Sequence, residues 1–166
     1  MTMSTNDVGT VPAVGDLAPD FSLRDHHGVE ISLSALRGRT NVALVFYPFA
    51  FSGICTGELR EIRDGLEDFQ DDGIQVLAIS CDSIYSLRAW ADTEAYFFPL
   101  LADFWPHGEV ARRYGVLDEQ SGAPRRATFL LDRDGTVVWR AVGEPGEHRD
   151  FAPYRRALAE LRAREE

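Results

Sequence analysis

Apolar and polar residues alternate over Phe21-Ser22-Leu23-Arg24 and again over Val29-Glu30-Ile31-Ser32-Leu33. Between them lies Asp25-His26-His27-Gly28, a turn composition, so the chain should open on a hairpin. Asn41 to Tyr47 is continuously apolar after its first residue, as expected of a strand buried on both faces, and Pro48 ends it. From Cys55 to Gln70 the period changes to that of a helix: Leu59, Ile62, Leu66 and Phe69 recur at spacings of three and four until Gly73. Ile74 to Ser80 predicts a second buried strand. A helix over about Ile84–Ala95 follows, capped by Ser83 or Asp82, and a short one leads from Pro106 to Tyr114. Ala127–Leu131 and Val137–Val142 bracket Asp132-Arg133-Asp134-Gly135, a hairpin signal, and Pro153–Arg164 predicts a last amphipathic helix. This order describes one α/β domain of thioredoxin-like type: a central mixed β-sheet flanked by helices, with an N-terminal hairpin. Its expected extent is residues 14–166, behind a small, polar and flexible tail over residues 1–13.

Composition narrows the function. The 166 residues carry 27 acidic and 17 basic side chains, a net charge of −10. A chain this acidic repels nucleic acid and anionic membranes, and the arginine pairs 112–113, 125–126 and 155–156 are too short to reverse that, so neither partner is expected. Every basic residue is arginine, which excludes lysine chemistry such as a Schiff base or a P-loop. No run reaches the about 18 apolar residues of a membrane helix. No signal peptide is expected and the cytoplasm is the expected compartment, where Cys55 and Cys81 stay reduced rather than form a disulfide scaffold.

The stretch with chemistry in it is Pro48-Phe49-Ala50-Phe51-Ser52-Gly53-Ile54-Cys55-Thr56-Gly57-Glu58. It places Cys55 in the first turn of a helix that follows a buried strand. The unpaired N–H groups and positive dipole end of such a turn stabilise a thiolate, the nucleophilic form of a thiol. Ser52 can offer its hydroxyl to the sulfur or to a bound oxygen, and Pro48 shields the sulfur from water. A disulfide oxidoreductase would need a second cysteine three residues away; those positions hold Ser52 and Glu58.

Pro48-x-x-x-Ser52-x-x-Cys55 with the trailing Glu58 resembles the peroxiredoxin signature. Gly15-Asp16-x-Ala18-Pro19-Asp20-Phe21 resembles that family's opening segment, Ser80-x-Asp82-Ser83 with Trp90 its middle, and Arg126-Ala127-Thr128-Phe129 the strand with its second catalytic residue. Phe49 to Cys55 and Asp103 to Gly108 look most like the AhpE type of one-cysteine peroxiredoxin in this AhpC/TSA-like family. The resemblance implies a thiol-dependent peroxidase that needs no metal and no organic cofactor. Cys55 would be the peroxidatic nucleophile that becomes a sulfenic acid. Arg126 would hold the thiolate and polarise the peroxide, Ser52 would stand in the usual threonine position and bond the peroxide oxygens, Pro48 would close the pocket, and Glu58 would orient arginines. Implied substrates are hydrogen peroxide and organic hydroperoxides, with peroxynitrite as a further candidate. Position 60 is arginine and no cysteine follows Cys81, so no resolving cysteine is expected. An external thiol would then reduce the sulfenic acid: mycothiol with mycoredoxin, glutathione with glutaredoxin, or thioredoxin. A homodimer through the loops beside the site is also implied. The alternative function is a redox sensor or relay that passes oxidation from Cys55 to a partner protein.

Other residues carry plainer readings. Cys81 reads as a small apolar residue at a strand end. Glu58 would equally suit a solvated helix face, and Arg125 reads as an ordinary surface arginine. His26-His27 lacks a third ligand nearby, so no metal site is expected, and His107 suits a loop or cap. Trp90, Trp105, Phe97 and Phe98 read as core or dimer packing before substrate contacts. Asp132 and Asp134 are turn formers.

Overall fold

The computed structural model describes residues 9–65, 73–143 and 149–164. Its elements are β1 (Ser22–Asp25), β2 (Glu30–Ser32), β3 (Asn41–Phe46), α1 (Gly53–Asp64), β4 (Ile74–Ser80), α2 (Ile84–Glu94), β5 (Leu100–Ala102), α3 (Glu109–Arg113), β6 (Leu117–Asp118), β7 (Ala123–Pro124), β8 (Arg126–Leu131), β9 (Val137–Gly143) and α4 (Ala152–Arg164). Seven strands form one mixed sheet in the order β2-β1-β5-β4-β3-β8-β9, and β6 pairs with β7 separately. β4 runs parallel to β3 and β5; β8 is antiparallel to β3, and the β8–β9 and β1–β2 hairpins form the two edges.

The two-sided burial read from β3 is realised residue by residue. Ala43, Val45 and Tyr47 face one core with Cys55, Leu59 and Ile62 of α1, Leu87 and Trp90 of α2, and Tyr154, Leu158 and Leu161 of α4. Val42, Leu44 and Phe46 face the other with Phe21, Leu33, Val110, Tyr114 and Phe129. The sheet is thus covered on both faces, which suits its central parallel strands. Phe46 lies opposite Ala127 in the β3–β8 register, so Arg126 stands just beyond the end of β3, where the chain leaves for α1.

Several expectations shift in detail. Helix α1 starts at Gly53 instead of Cys55, because the Ser52 hydroxyl accepts the Cys55 N–H and caps it. Leu66 and Phe69 lie outside the described residues. Ser83, not Asp82, caps α2 by accepting the Ser86 N–H. β5 and the β6–β7 pair had no sequence signal; both are two or three residues long, too short for a period to show. From residue 9 on, the stretch expected to be a loose tail lies against α3, with the Gly9 N–H donating to Arg112 O at 2.9 Å and Pro12 buried. No helix among the described residues is long and apolar enough to cross a membrane.

His26 has a structural task at the β1–β5 junction. Its Nδ1 accepts the Leu100 N–H at 3.2 Å, and its ring contacts His27 at 4.2 Å. Burial and the neighbouring His27 push its pKa below the ordinary histidine value. The unfolded chain therefore binds this proton more readily, and stability falls as the pH drops through and below about 6.5. His26→Gln, which keeps an acceptor but does not titrate, is expected to lack this component: the urea-midpoint gap between wild type and variant should close from pH 7 to pH 5. A gap independent of pH would contradict it.

Candidate active site

The loop between β3 and α1 is held at both ends. Pro48 is buried at the strand end, and the Ala50 N–H donates to Asp82 Oδ2 at 2.8 Å; the Ser80 hydroxyl donates to the same oxygen at 2.8 Å. Phe51 adopts a left-handed φ of 67°, an uncommon conformation for a bulky residue, and its ring packs at a tilt against Trp90. The loop delivers Ser52 to the N-cap and Cys55 to the third helical position. Cys55 is fully buried. Tyr96 supports the same turn, its hydroxyl donating to Thr56 O at 3.2 Å.

Arg126 reaches the sulfur from β8. Its Nη2 donates to Cys55 Sγ at 3.2 Å, and its Nη1 pairs with Glu58 Oε1 at 2.7 Å. Glu58 is fully buried one helical turn beyond Cys55 and meets a second arginine. Arg149, just before α4, pairs through Nε with Glu58 Oε2 at 2.8 Å and donates its backbone N–H to Oε1 at 3.1 Å. Its Nη1 donates to Thr128 Oγ1 at 2.6 Å and Ala127 O at 3.3 Å, and its Nη2 to Phe46 O. Burial draws the Arg149 guanidinium down to about 10, with Glu58 opposing the shift; it remains a cation at neutral pH. The cluster can stabilise an anionic sulfur from two sides, with the helix N-terminus on one and a guanidinium on the other.

The structure therefore brings Ser52, Cys55, Glu58 and Arg126 together, with Pro48 buried at the end of β3. It resolves Glu58 as a buried ion-pair member rather than a solvated residue. Arg149 escaped sequence reading altogether, whereas Thr128 and Asp82 were read as motif positions without their contacts to Arg149 and to the Ala50 N–H. The one signal for Arg149 was indirect: Glu58 shares the helix face of Cys55, Leu59 and Ile62, and an acid on a buried face needs cations. Cys81 is partly exposed, and burial with Asp103 and Asp82 beside it pushes its thiol up to about 12. Trp90 and Phe98 are core, whereas Trp105 and Phe97 are exposed. His107 Nε2 bonds Gly122 O, a loop tie. Among the described residues no three His, Cys, Asp or Glu side chains gather closely enough to hold a metal.

Three comparisons bear on this geometry. The AhpC/TSA family model matches residues 14–140. The alkyl hydroperoxide reductase E of Mycobacterium tuberculosis is 47% identical over 150 residues, 90% of this chain and 98% of that protein, and the Mycobacterium bovis protein of the same name matches equally. Among solved structures, Enterococcus faecalis AhpC superposes with a TM-score of 0.81 at 30% identity, covering 90% of this chain and 92% of that one. The peroxidoxin BcpB of Mycobacterium tuberculosis gives 0.79 at 32% identity, covering 92% and 97%.

Removing one partner from a buried ion pair leaves an uncompensated charge and costs about 3–5 kcal/mol. Arg149→Ala is therefore expected to destabilise the protein by about that much in urea denaturation, although the residue does not touch Cys55 in any described contact. A loss below about 1 kcal/mol, the range of exposed pairs, would contradict the cluster as described.

Proposed function

The chain belongs to the AhpC/TSA family, and on that premise we propose that it is a thiol-dependent peroxidase with Cys55 as its peroxidatic cysteine. The observation that carries the reading is the 3.2 Å contact of Arg126 Nη2 with Cys55 Sγ, made by a guanidinium that Glu58 also holds. The Cys55 thiolate attacks one oxygen of a hydroperoxide in line with the O–O bond. A sulfur–oxygen bond forms, the O–O bond breaks, and the leaving oxygen takes a proton and departs as alcohol or water, leaving a sulfenic acid. Charge moves from sulfur to the leaving oxygen, and a donor already fixed beside that path stabilises it without reorganising. Arg126 is that donor. Ser52 accepts the Cys55 N–H with its oxygen, which leaves its own O–H to meet a peroxide oxygen. Pro48 closes the site against the strand end. Glu58 orients Arg126 and does not react.

The cycle we propose uses one cysteine. A resolving thiol attacks as thiolate, and Cys81, its thiol pushed up to about 12, is almost wholly protonated at neutral pH. The sulfenic acid is then reduced by an external thiol, with mycothiol and mycoredoxin, glutathione and glutaredoxin, or thioredoxin as the candidates. Substrates are hydrogen peroxide and organic hydroperoxides, with peroxynitrite as a further acceptor; a relay to a partner protein would start from the same sulfenic acid. The cytoplasm is the proposed compartment, which suits two free thiols. A homodimer is proposed through the loops beside the site, where Phe49, Phe51 and Ile54 are exposed.

Three variants test this together in a steady-state peroxidase assay. Cys55→Ser should abolish turnover. Arg126→Ala should lower the second-order rate constant with hydroperoxide by about 10²–10³, the scale of one lost donor to a developing anion. Cys81→Ser should leave turnover within about twofold. Activity retained without Cys55 would refute the function, and turnover lost without Cys81 would refute the one-cysteine cycle.

A further inference from the structure

Among the described residues, the buried charges at the site are two guanidiniums, Arg126 and Arg149, and the single carboxylate of Glu58. With Cys55 as thiolate the four charges sum to zero. Sulfenic acid formation removes the fourth, because the negative charge leaves on the oxygen and is quenched by a proton. The same fixed cluster then carries a net +1 in a buried setting, where charge is poorly screened. Arg126 and Arg149 are also among the residues that line a cavity of about 250 Å³ between β9 and α4, with Trp139, Val142 and Pro153, a volume that admits a small anion close to the cluster. Asp150 lines that cavity too, but it is exposed and accepts the Ala152 N–H at the start of α4, so water screens it.

We infer that oxidation of Cys55 converts this neutral cluster into an anion-selective one, and that the oxidised site prefers a reductant bearing a carboxylate beside its thiol. The inference rests on Cys55 cycling through a sulfenic acid. The preference runs against the whole molecule, whose net charge of −10 favours cationic thiols at long range. In the step concerned, the reductant's thiolate attacks Cys55 Sγ, the S–O bond breaks, and hydroxide takes a proton and leaves as water. A second thiolate then attacks the reductant's sulfur in the mixed disulfide. That S–S bond breaks, Cys55 returns as thiolate, and the two reductant thiols leave as a disulfide, having supplied both electrons.

The test forms the sulfenic acid with one equivalent of hydroperoxide and measures its reduction by 3-mercaptopropionate, 2-mercaptoethanol and cysteamine. Rates are taken at equal thiolate concentration, each divided by that thiol's rate with a neutral small disulfide. The expected order is anionic, neutral, cationic, with a spread of about tenfold or more. Equal rates or the reverse order would overturn the inference. Arg149→Gln should shrink the spread to within about twofold, and a full spread in that folded variant would overturn the assignment to the cluster. Should the variant not fold, thiocyanate as a competing anion should narrow the wild-type spread, and a spread it leaves intact would overturn the assignment as well. A protein that forms no sulfenic acid with hydroperoxide would remove the proposed function and this inference together, whereas sulfenic acid with no charge preference removes the inference alone.

Discussion

Glu58 is an ionised carboxylate with no access to water, and the site is built around keeping it paired. Moving such a charge out of water costs several kcal/mol unless close, well-aligned partners replace the hydration. Two guanidiniums and a backbone N–H do so here, and carboxylate and partners together come from three places in the chain. Glu58 belongs to α1, Arg126 to β8, and Arg149 to the segment before α4. Arg149 continues the network to Thr128, Ala127 O and Phe46 O, so the ends of β3 and β8 are tied to the same carboxylate. The pairs do more than balance charge: they fix where α1 sits over the sheet and aim the Arg126 Nη2 at Cys55.

The sheet makes that placement possible. β3 is buried on both faces and ends at the loop, so the chain must turn there and enter a helix whose first residues lie over the strand end. The antiparallel register of β8 puts Arg126 beside that end, and residue alternation points Arg126 and Thr128 to the α1 face while Ala127 and Phe129 pack on the other. Asp82 holds the loop backbone from the neighbouring strand end. Catalytic geometry is thus set by secondary-structure ends meeting, and each end is fixed by its own hydrogen bonds.

Where local chemistry dictated structure, the sequence was legible. The apolar run of β3, the period of α1, the Asp132–Gly135 turn and the cap-to-cysteine spacing of Ser52 and Cys55 are all short-range patterns. So was Glu58 as a family position, although its burial was not, since an acid between Gly57 and Leu59 looks the same on a wet or a dry face. Arg149 was not legible, because its role depends on a contact with a residue 91 positions away. Asp82 was noticed as a possible cap, but its real partner, the Ala50 N–H, is set by tertiary folding. β5, the three residues that directly follow Pro99, is defined by its neighbours β4 and β1 rather than by any pattern of its own.

The chemistry turns on one sulfur atom, and intact mass reads its state directly. Reduced protein is treated with one equivalent of hydroperoxide in the presence of dimedone, and the adduct is located by peptide mapping. A single dimedone adduct on Cys55 is expected, the mark of a sulfenic acid that persists until an external thiol arrives. A loss of two hydrogens without an adduct, joining Cys55 to Cys81, would contradict the one-cysteine site, and an unmodified Cys55 would contradict a peroxidatic role altogether.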